Sequence, residues 1–292
     1  MTVDSKIMGM TTIIYSESKE YGFSSQGTGI FYADLAMEPT GPVNEEGFGW
    51  HKIEGIWLIT NRHVVFSPYT NKDGSIIEII PDTFTFNLRE EKDGLIEWLP
   101  ITLTKEDLLK RVKLHPNKNV DIVVIGIDDL HKKALTEPPK KKIIGGLGIT
   151  NKDLPSPSQP AIEATSDVII CSYPYGFYDG INKFPIIKSG IVASSWGENF
   201  NGSPYFLVDA KLFEGSSGGL VISKPVNLAM INGKLMHSSE KQFVFLGVYS
   251  GEYSVKIVDS DTSEEKEEFF GLGIVWYSSL IPYIILRGVP FA

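Results

Sequence analysis

The sequence predicts an all-β fold in two β domains, and three observations predict it. Short alternating or wholly apolar runs recur along the chain, each bounded by turn residues. Glycine (28), tyrosine (12) and phenylalanine (16) are abundant, a balance that favours turns and pleated strands over helices. A stretch rich in proline, lysine and serine separates one set of runs from the other. At 292 residues the chain is long for one core and comfortable for two.

In the first set, residues 29–32, 55–60, 83–88 and 121–125 read as strands; in the second, 168–171, 205–208, 220–222 and 243–248 do. Many short strands punctuated by Gly and Pro are the pattern of a β-sandwich or barrel. Helical spacing is confined to 104–114, with Thr104 as cap, and 278–286 near the C-terminus. The motifs Glu137-Pro138-Pro139-Lys140-Lys141-Lys142 and Pro155-Ser156-Pro157-Ser158-Gln159-Pro160 mark the divide, because proline cannot donate to a ladder. The expected domains are residues 8–130, a linker over 131–160, and 161–292 with the terminal helix. The stretch 33–52 is longer than a simple hairpin, and 260–268 reads as an acidic, solvated hairpin tip.

Composition excludes several function classes. Lys plus Arg number 27 against 36 Asp plus Glu, a net charge of −9, so no global field draws nucleic acid or an anionic membrane. A single cysteine, Cys171, permits neither an internal disulfide framework nor a thiolate zinc site, and its apolar run makes it a core residue. Asp4 stands where a secretory leader wants positive charge, and the longest apolar stretch, 274–286, is broken by Ser278, Ser279 and Pro282. A cytoplasmic protein is expected. His51, His115, His131 and His237 fit no metal spacing, Gly145-Gly146-Leu147-Gly148 lacks the Lys-Ser/Thr of a phosphate loop, and Lys140–Lys142 reads as a solvated loop.

Three local patterns carry chemistry. In Leu58-Ile59-Thr60-Asn61-Arg62-His63-Val64-Val65 a histidine ends an apolar strand after a polar pair; alone it reads as a surface histidine. In Asn119-Val120-Asp121-Ile122-Val123-Val124-Ile125 an aspartate opens a buried strand; alone it reads as a turn residue. In Glu214-Gly215-Ser216-Ser217-Gly218-Gly219-Leu220 the plain reading is a glycine-rich turn. The functional reading is that Gly215 lets the chain fold tightly, aiming its own N–H and that of Ser217 at a developing oxyanion beside the Ser217 hydroxyl.

In the order His63, Asp121, Ser217 the three patterns together resemble the trypsin-like (chymotrypsin-fold) serine peptidases. The sequence is most similar to the bacterial HtrA-like branch, with its Thr-Asn-x-His-Val-Val and Asp-Ile-x-Val-Ile sites. Tyr173-Pro174-Tyr175-Gly176, the run Lys188-Ser189-Gly190-Ile191-Val192-Ala193-Ser194, Asp209-Ala210, Gly247-Val248-Tyr249-Ser250-Gly251 and Gly271-Leu272-Gly273-Ile274-Val275 extend the resemblance over roughly residues 27–286. It implies two antiparallel six-stranded β-barrels with a short C-terminal helix. The first barrel would supply His63 and Asp121, the second Ser217, and the active site would lie between them.

The resemblance implies a serine endopeptidase. Ser217 would be the nucleophile, His63 its base, Asp121 the orienter of the imidazole, and the Gly215 and Ser217 N–H groups the oxyanion hole. Ser250 would hydrogen-bond Asp121, and the Ser250–Gly251 backbone would pair with an extended protein or peptide substrate. Lys211 and Leu212 would line the primary pocket, expected to be mainly apolar; the other reading has Lys211 pointing inward to favour an acidic residue. The chemistry calls for no metal or organic cofactor. A different function class is a non-hydrolysing peptide-recognition module using the same cleft. Ser216 departs from the digestive enzymes, which carry an aspartate there, so control is expected through loop ordering by a substrate or an activating partner protein and not through N-terminal cleavage. No PDZ-like segment follows, and an HtrA-style quality-control role is not expected.

Overall fold

The computed structural model describes residues 7–42, 49–71, 73–136, 142–144, 148–258 and 265–291. The expectations for Met1–Lys6, the prolines and lysines of 137–141, Gly145–Leu147 and the acidic residues 260–264 lie outside them.

The first half builds β1 (Thr11–Ser18), β2 (Phe23–Leu35), β3 (Ile53–Thr60), the one-turn helix Arg62–Val65, β4 (Ser67–Thr70), β5 (Ile76–Ile79), β6 (Thr83–Lys92), β7 (Leu95–Thr104), the helix Lys105–Arg111, β8 (Val112–Leu114), β9 (Val123–Gly126) and the helix Asp128–Thr136. Two short strands follow: β10 (Lys142–Ile144) pairs antiparallel with β6, and β11 (Ile149–Thr150) pairs parallel with β2. The nine-stranded sheet runs β10-β6-β1-β2-β3-β9-β8, with β7 on β6 and β11 on β2. One edge of β6 carries β1 and then β10, and the other carries β7. Among the described residues no ladder joins β7 to β8, so the closure expected of this half as a six-stranded barrel is not seen in its hydrogen bonds.

The second half builds β12 (Asp167–Ser172), β13 (Ile186–Val192), β14 (Tyr205–Asp209), β15 (Leu220–Ser223), β16 (Val226–Ile231), β17 (Lys234–Gln242), β18 (Phe245–Val258), β19 (Glu265–Tyr277) and the helix Leu280–Arg287. Six of these strands close the expected barrel in the order β12-β13-β14-β19-β18-β15, while β16 and β17 form a separate hairpin.

The apolar runs are continuous because several strands are buried on both faces. Successive side chains of a strand point to opposite sides. Val168 and Ile170 of β12 face the barrel interior with Val208, Val221, Leu246 and Val275, whereas Cys171 turns to a second cluster shared with Ile30, Ile59 and Val124 of the first half. Likewise Val123 and Ile125 face the first half's own core with Phe84 and Phe86, and Val124 faces the shared cluster. Ile281, Ile284 and Ile285 of the terminal helix pack into that shared cluster. The two halves are thus joined by a common core, and their loops are held at fixed positions where they meet. The Cys171 thiol lies in this core, and burial pushes its pKa up to about 12, so it stays protonated and inert.

Thr104 caps its helix by accepting the Asp107 N–H at 3.3 Å. That helix ends at Arg111 rather than 114 because Val112–Leu114 extends to pair with β9. Among the described residues no helix is long and apolar enough to cross a membrane.

Candidate active site

His63 sits in the one-turn helix that follows β3, and Asp121 sits just before β9, the strand that pairs with β3. Strand pairing therefore places the two side by side although they are far apart in sequence. Asp121 Oδ1 accepts the His63 backbone N–H at 3.0 Å, and Asp121 Oδ2 lies 2.7 Å from His63 Nδ1. The Ser250 hydroxyl donates to the same Oδ2 at 2.5 Å. The carboxylate is thus held by three donors, with its side chain 21% exposed against 39% for the imidazole. Burial disfavours the imidazolium, but the Asp121 charge and its hydrogen bond outweigh burial, and the His63 pKa sits above its ordinary 6.5. With Nδ1 engaged, the described hydrogen bonds give Nε2 no protein partner, which leaves it free to take a proton.

Ser217 lies in the turn entering β15. Its Oγ donates to the Ser250 carbonyl at 2.8 Å, and no described hydrogen bond joins it to the His63 ring. Gly215 and Gly218 on either side have φ of 83° and 82°, the left-handed region that favours glycine. At Gly218 a Cβ would stand 1.9 Å from the Thr28 carbonyl oxygen, so only glycine fits.

Two backbone donors beside Ser217 are unpartnered among the described hydrogen bonds: the N–H groups of Gly215 and Ser217. Their directions are set through the carbonyls of the same peptide units. Glu214 O accepts the Tyr175 N–H at 2.7 Å and Ser216 O accepts the Gly219 N–H at 2.9 Å. In a trans peptide the N–H points opposite to the C=O, so fixing each carbonyl fixes the donor across from it. Ser216 itself is fully buried and accepts the Ser172 hydroxyl at 3.2 Å, a neutral pair.

Three residues outside the sequence expectations complete the site. Asn61 is fully buried and bridges the two halves: its Nδ2 donates to Asp121 O at 2.7 Å and its Oδ1 accepts the Gly218 N–H at 2.5 Å. Thr28 Oγ1 donates to Gly215 O at 2.9 Å and accepts the Tyr173 N–H at 3.0 Å. Gln26 Nε2 donates to Tyr173 O at 3.2 Å. Asn61 carried a signal, as the polar residue two before His63. Thr28 and Gln26 carried none.

Lys211 and Leu212 line a cavity of about 440 Å³ together with Asp209, Tyr249, Glu252 and Phe270. The Lys211 ammonium lies 5.8 Å from the centre of the Phe213 ring, and the Lys188 ammonium lies 4.7 Å from it. The residues lining the cavity therefore mix apolar side chains with Asp209, Glu252 and Lys211. Ser250 and Gly251 lie on β18 beyond Val248, where its ladder with β15 ends, so that edge of β18 is open beside Ser217.

A closed antiparallel barrel that shares a core with a second β unit gives the chain a trypsin-like fold. The family model of the trypsin-like peptidase domain matches residues 27–226, and the chain belongs to that family. No curated protein matches it. Among solved structures it is similar to the Rv3671c protease from M. tuberculosis in its active form, at 14% identity over 99% of this chain and 85% of that one, with a TM-score of 0.44. The protease Anisep from Arthrobacter nicotinovorans is similar at 13% identity, 96% and 94% coverage and a TM-score of 0.45. A mutant of the tobacco etch virus protease is similar at 9% identity, 98% and 84% coverage and a TM-score of 0.46.

Proposed function

We propose that this chain is a serine endopeptidase working through His63, Asp121 and Ser217. The observation that carries the reading is the pair of unpartnered N–H groups, of Gly215 and Ser217, beside a serine hydroxyl and an imidazole braced by a carboxylate. Ser217 Oγ leaves the Ser250 carbonyl by a turn about one side-chain torsion and gives its proton to His63 Nε2 as it attacks a peptide carbonyl carbon. The carbonyl oxygen becomes an oxyanion, received by the two N–H groups. Asp121 holds the proton on Nδ1 and stabilises the imidazolium. His63 then protonates the departing amine, and a water deprotonated by His63 hydrolyses the acyl-enzyme. The substrate is a protein or peptide whose extended backbone pairs with the open edge at Ser250–Gly251, with the side chain before the scissile bond in the cavity of Lys211 and Leu212.

A fluorophosphonate tests this reading, since it labels a serine only where hydroxyl, base and oxyanion donors act together. Labelling at Ser217 that is lost in Ser217→Ala and in His63→Ala, with folding retained, is the expected result. One observation favours the second reading, a peptide-binding module without hydrolysis: the Ser217 hydroxyl rests on Ser250 O and not on His63. Peptide binding by a folded wild type that never labels decides for that module.

A further inference from the structure

Arg89 is among the largest fully buried side chains of the described residues, 2% exposed, and among those residues no carboxylate forms an ion pair with it. A buried cation is retained only where its hydrogen bonds and surroundings compensate lost water. Its Nη2 donates to the Tyr173 hydroxyl at 2.6 Å and its Nε to the Lys183 carbonyl at 3.0 Å. The guanidinium also lies 5.1 Å from the Trp98 ring centre and 5.8 Å from that of Phe184. Trp98, Tyr173 and Tyr178 pack on one another with ring centres 5.6 to 6.2 Å apart, Tyr178 edge to face with the other two. Arg89 belongs to β6 of the first half. Tyr173, Lys183 and Phe184 begin and end one connection of the second half, between β12 and β13.

That connection reaches the oxyanion donors by two routes. Tyr175 N–H holds the Glu214 carbonyl and so aims the Gly215 N–H. Tyr173 N–H donates to Thr28 Oγ1, which donates to Gly215 O and so holds in place the residue whose N–H is the first donor. The turn between these contacts is strained: Tyr175 has φ 49° and ψ 27°, the left-handed region, in a residue that is not glycine. Such a conformation persists only where its surroundings over-determine it. Ser216 and Ser172 meet as neutral hydroxyls and provide no ion pair for this purpose.

We propose that Arg89 is a positioning residue for the oxyanion hole: by clamping the Tyr173 hydroxyl and the Lys183 carbonyl, it holds the 173–184 connection against β6 and thereby aims the Gly215 N–H. The clamp substitutes for a charged anchor beneath the nucleophile turn. Its effect on rate rests on the protease reading, whereas its effect on the turn does not. Two measurements keep them apart.

The first is fluorophosphonate labelling of Arg89→Met, Arg89→Lys and Tyr173→Phe, resolved into the maximal labelling rate and the half-saturating concentration. The clamp predicts a fall of about 10- to 100-fold in the maximal rate for Arg89→Met and Tyr173→Phe, below the cost of deleting an oxyanion donor outright. The half-saturating concentration should hold, and Arg89→Lys, which keeps the charge but not the fork, should fall between. The second is amide hydrogen exchange, expected to quicken at 173–184 and 213–217 while the barrel strands β12 and β15 stay protected. Tyr173→Phe keeps the buried ring, so it reports even if Arg89→Met does not fold. Unchanged exchange at 213–217 in a folded Tyr173→Phe overturns the clamp, and so does quickening spread evenly over the whole protein. A wild type that fails to label rejects the protease reading, and the exchange comparison still decides the clamp.

Discussion

Asn61 Oδ1 accepts the Gly218 N–H at 2.5 Å, so a side chain placed by β3 of the first half is bonded to the backbone just after Ser217 in the second. The same carboxamide donates to the Asp121 carbonyl. Together with the Thr28 N–H, which donates to Ser217 O at 2.8 Å, this buried side chain ties the elements bearing His63 and Asp121 to the turn bearing Ser217.

Asn61→Ala takes the donor from the Asp121 carbonyl while the Gly218 N–H keeps the Tyr249 carbonyl at 2.8 Å, so it is expected to lower stability by about 1–3 kcal/mol and to slow labelling of Ser217 in the protein that remains folded. Asn61→Asp keeps an acceptor for Gly218 but offers the Asp121 carbonyl no donor, so it is destabilised as well. Denaturant unfolding beside labelling measures both. Wild-type values in Asn61→Ala would remove the bridge from the site.

The pH dependence follows from His63. As a base the imidazole works only when neutral, and its pKa is raised in the folded protein, chiefly by Asp121 acting against burial. The acid limb of kcat/KM, or of the labelling rate, is therefore expected above pH 6.5. The linked stability has the opposite sense. A raised folded pKa contributes stability that is fully present below pH 6.5 and is lost as pH rises through the folded value. Asp121→Asn removes the cause, so the His63 pKa should fall, as read by NMR titration of the ring. Turnover should fall by about 10⁴-fold through the wrong tautomer. An acid limb below pH 6.5 in the wild type contradicts the assignment of His63 as base.

How much of this was legible in the sequence depends on how local each signal is. The strand runs and the Thr104 cap follow from periodicity and turn residues within a few positions, whereas the second barrel came from the resemblance to the trypsin-like peptidases. His63, Asp121 and Ser217 were legible because each lies in a short local motif, and the three motifs in that order resemble those of the trypsin-like peptidases. Thr28 and Arg89 were not, since their partners Gly215 and Tyr173 lie 187 and 84 residues away, and nothing near either marks the contact. The short strands β10 and β11 fall inside the segment read as a linker because two or three residues show no period. The path of the first sheet rests on which edges of β6 are occupied, a long-range matter that alternation does not encode.

Two glycines of the site should respond differently to the same change. At Gly218 the left-handed backbone costs an alanine about 1–2 kcal/mol by itself, and the added Cβ would meet the Thr28 carbonyl oxygen at 1.9 Å. Gly218→Ala is expected to unfold the turn or the protein, seen as a large drop in Tm. A Cβ at Gly251 meets nothing within 4 Å, so Gly251→Ala should fold normally. Any loss there should appear as weaker substrate binding along the β18 edge, a higher KM with kcat retained. A stable Gly218→Ala that labels at the wild-type rate refutes the packing argument.

Selection at the cavity beside Lys211 turns on its charges. Asp209, Glu252 and Lys211 are among its lining residues, and one Glu252 oxygen accepts the Gly271 N–H at 3.1 Å. Lys211 is exposed and leans over Phe213, so its charge acts on the cavity mouth through partly screened space. Removing it lowers the positive charge beside Asp209 and Glu252, with the Lys188 ammonium over the same Phe213 ring remaining. Lys211→Ala is therefore expected to shift a peptide-library profile toward basic side chains before the scissile bond and away from acidic ones. A change of a few-fold fits a solvent-screened charge, and it should shrink as salt is raised. Glu252→Gln should move the profile the opposite way without loss of stability, because the amide oxygen still accepts the Gly271 N–H. A profile that stays the same in both variants and at both salt concentrations would show that the apolar wall of Leu212, Tyr249 and Phe270, and not charge, sets the preference.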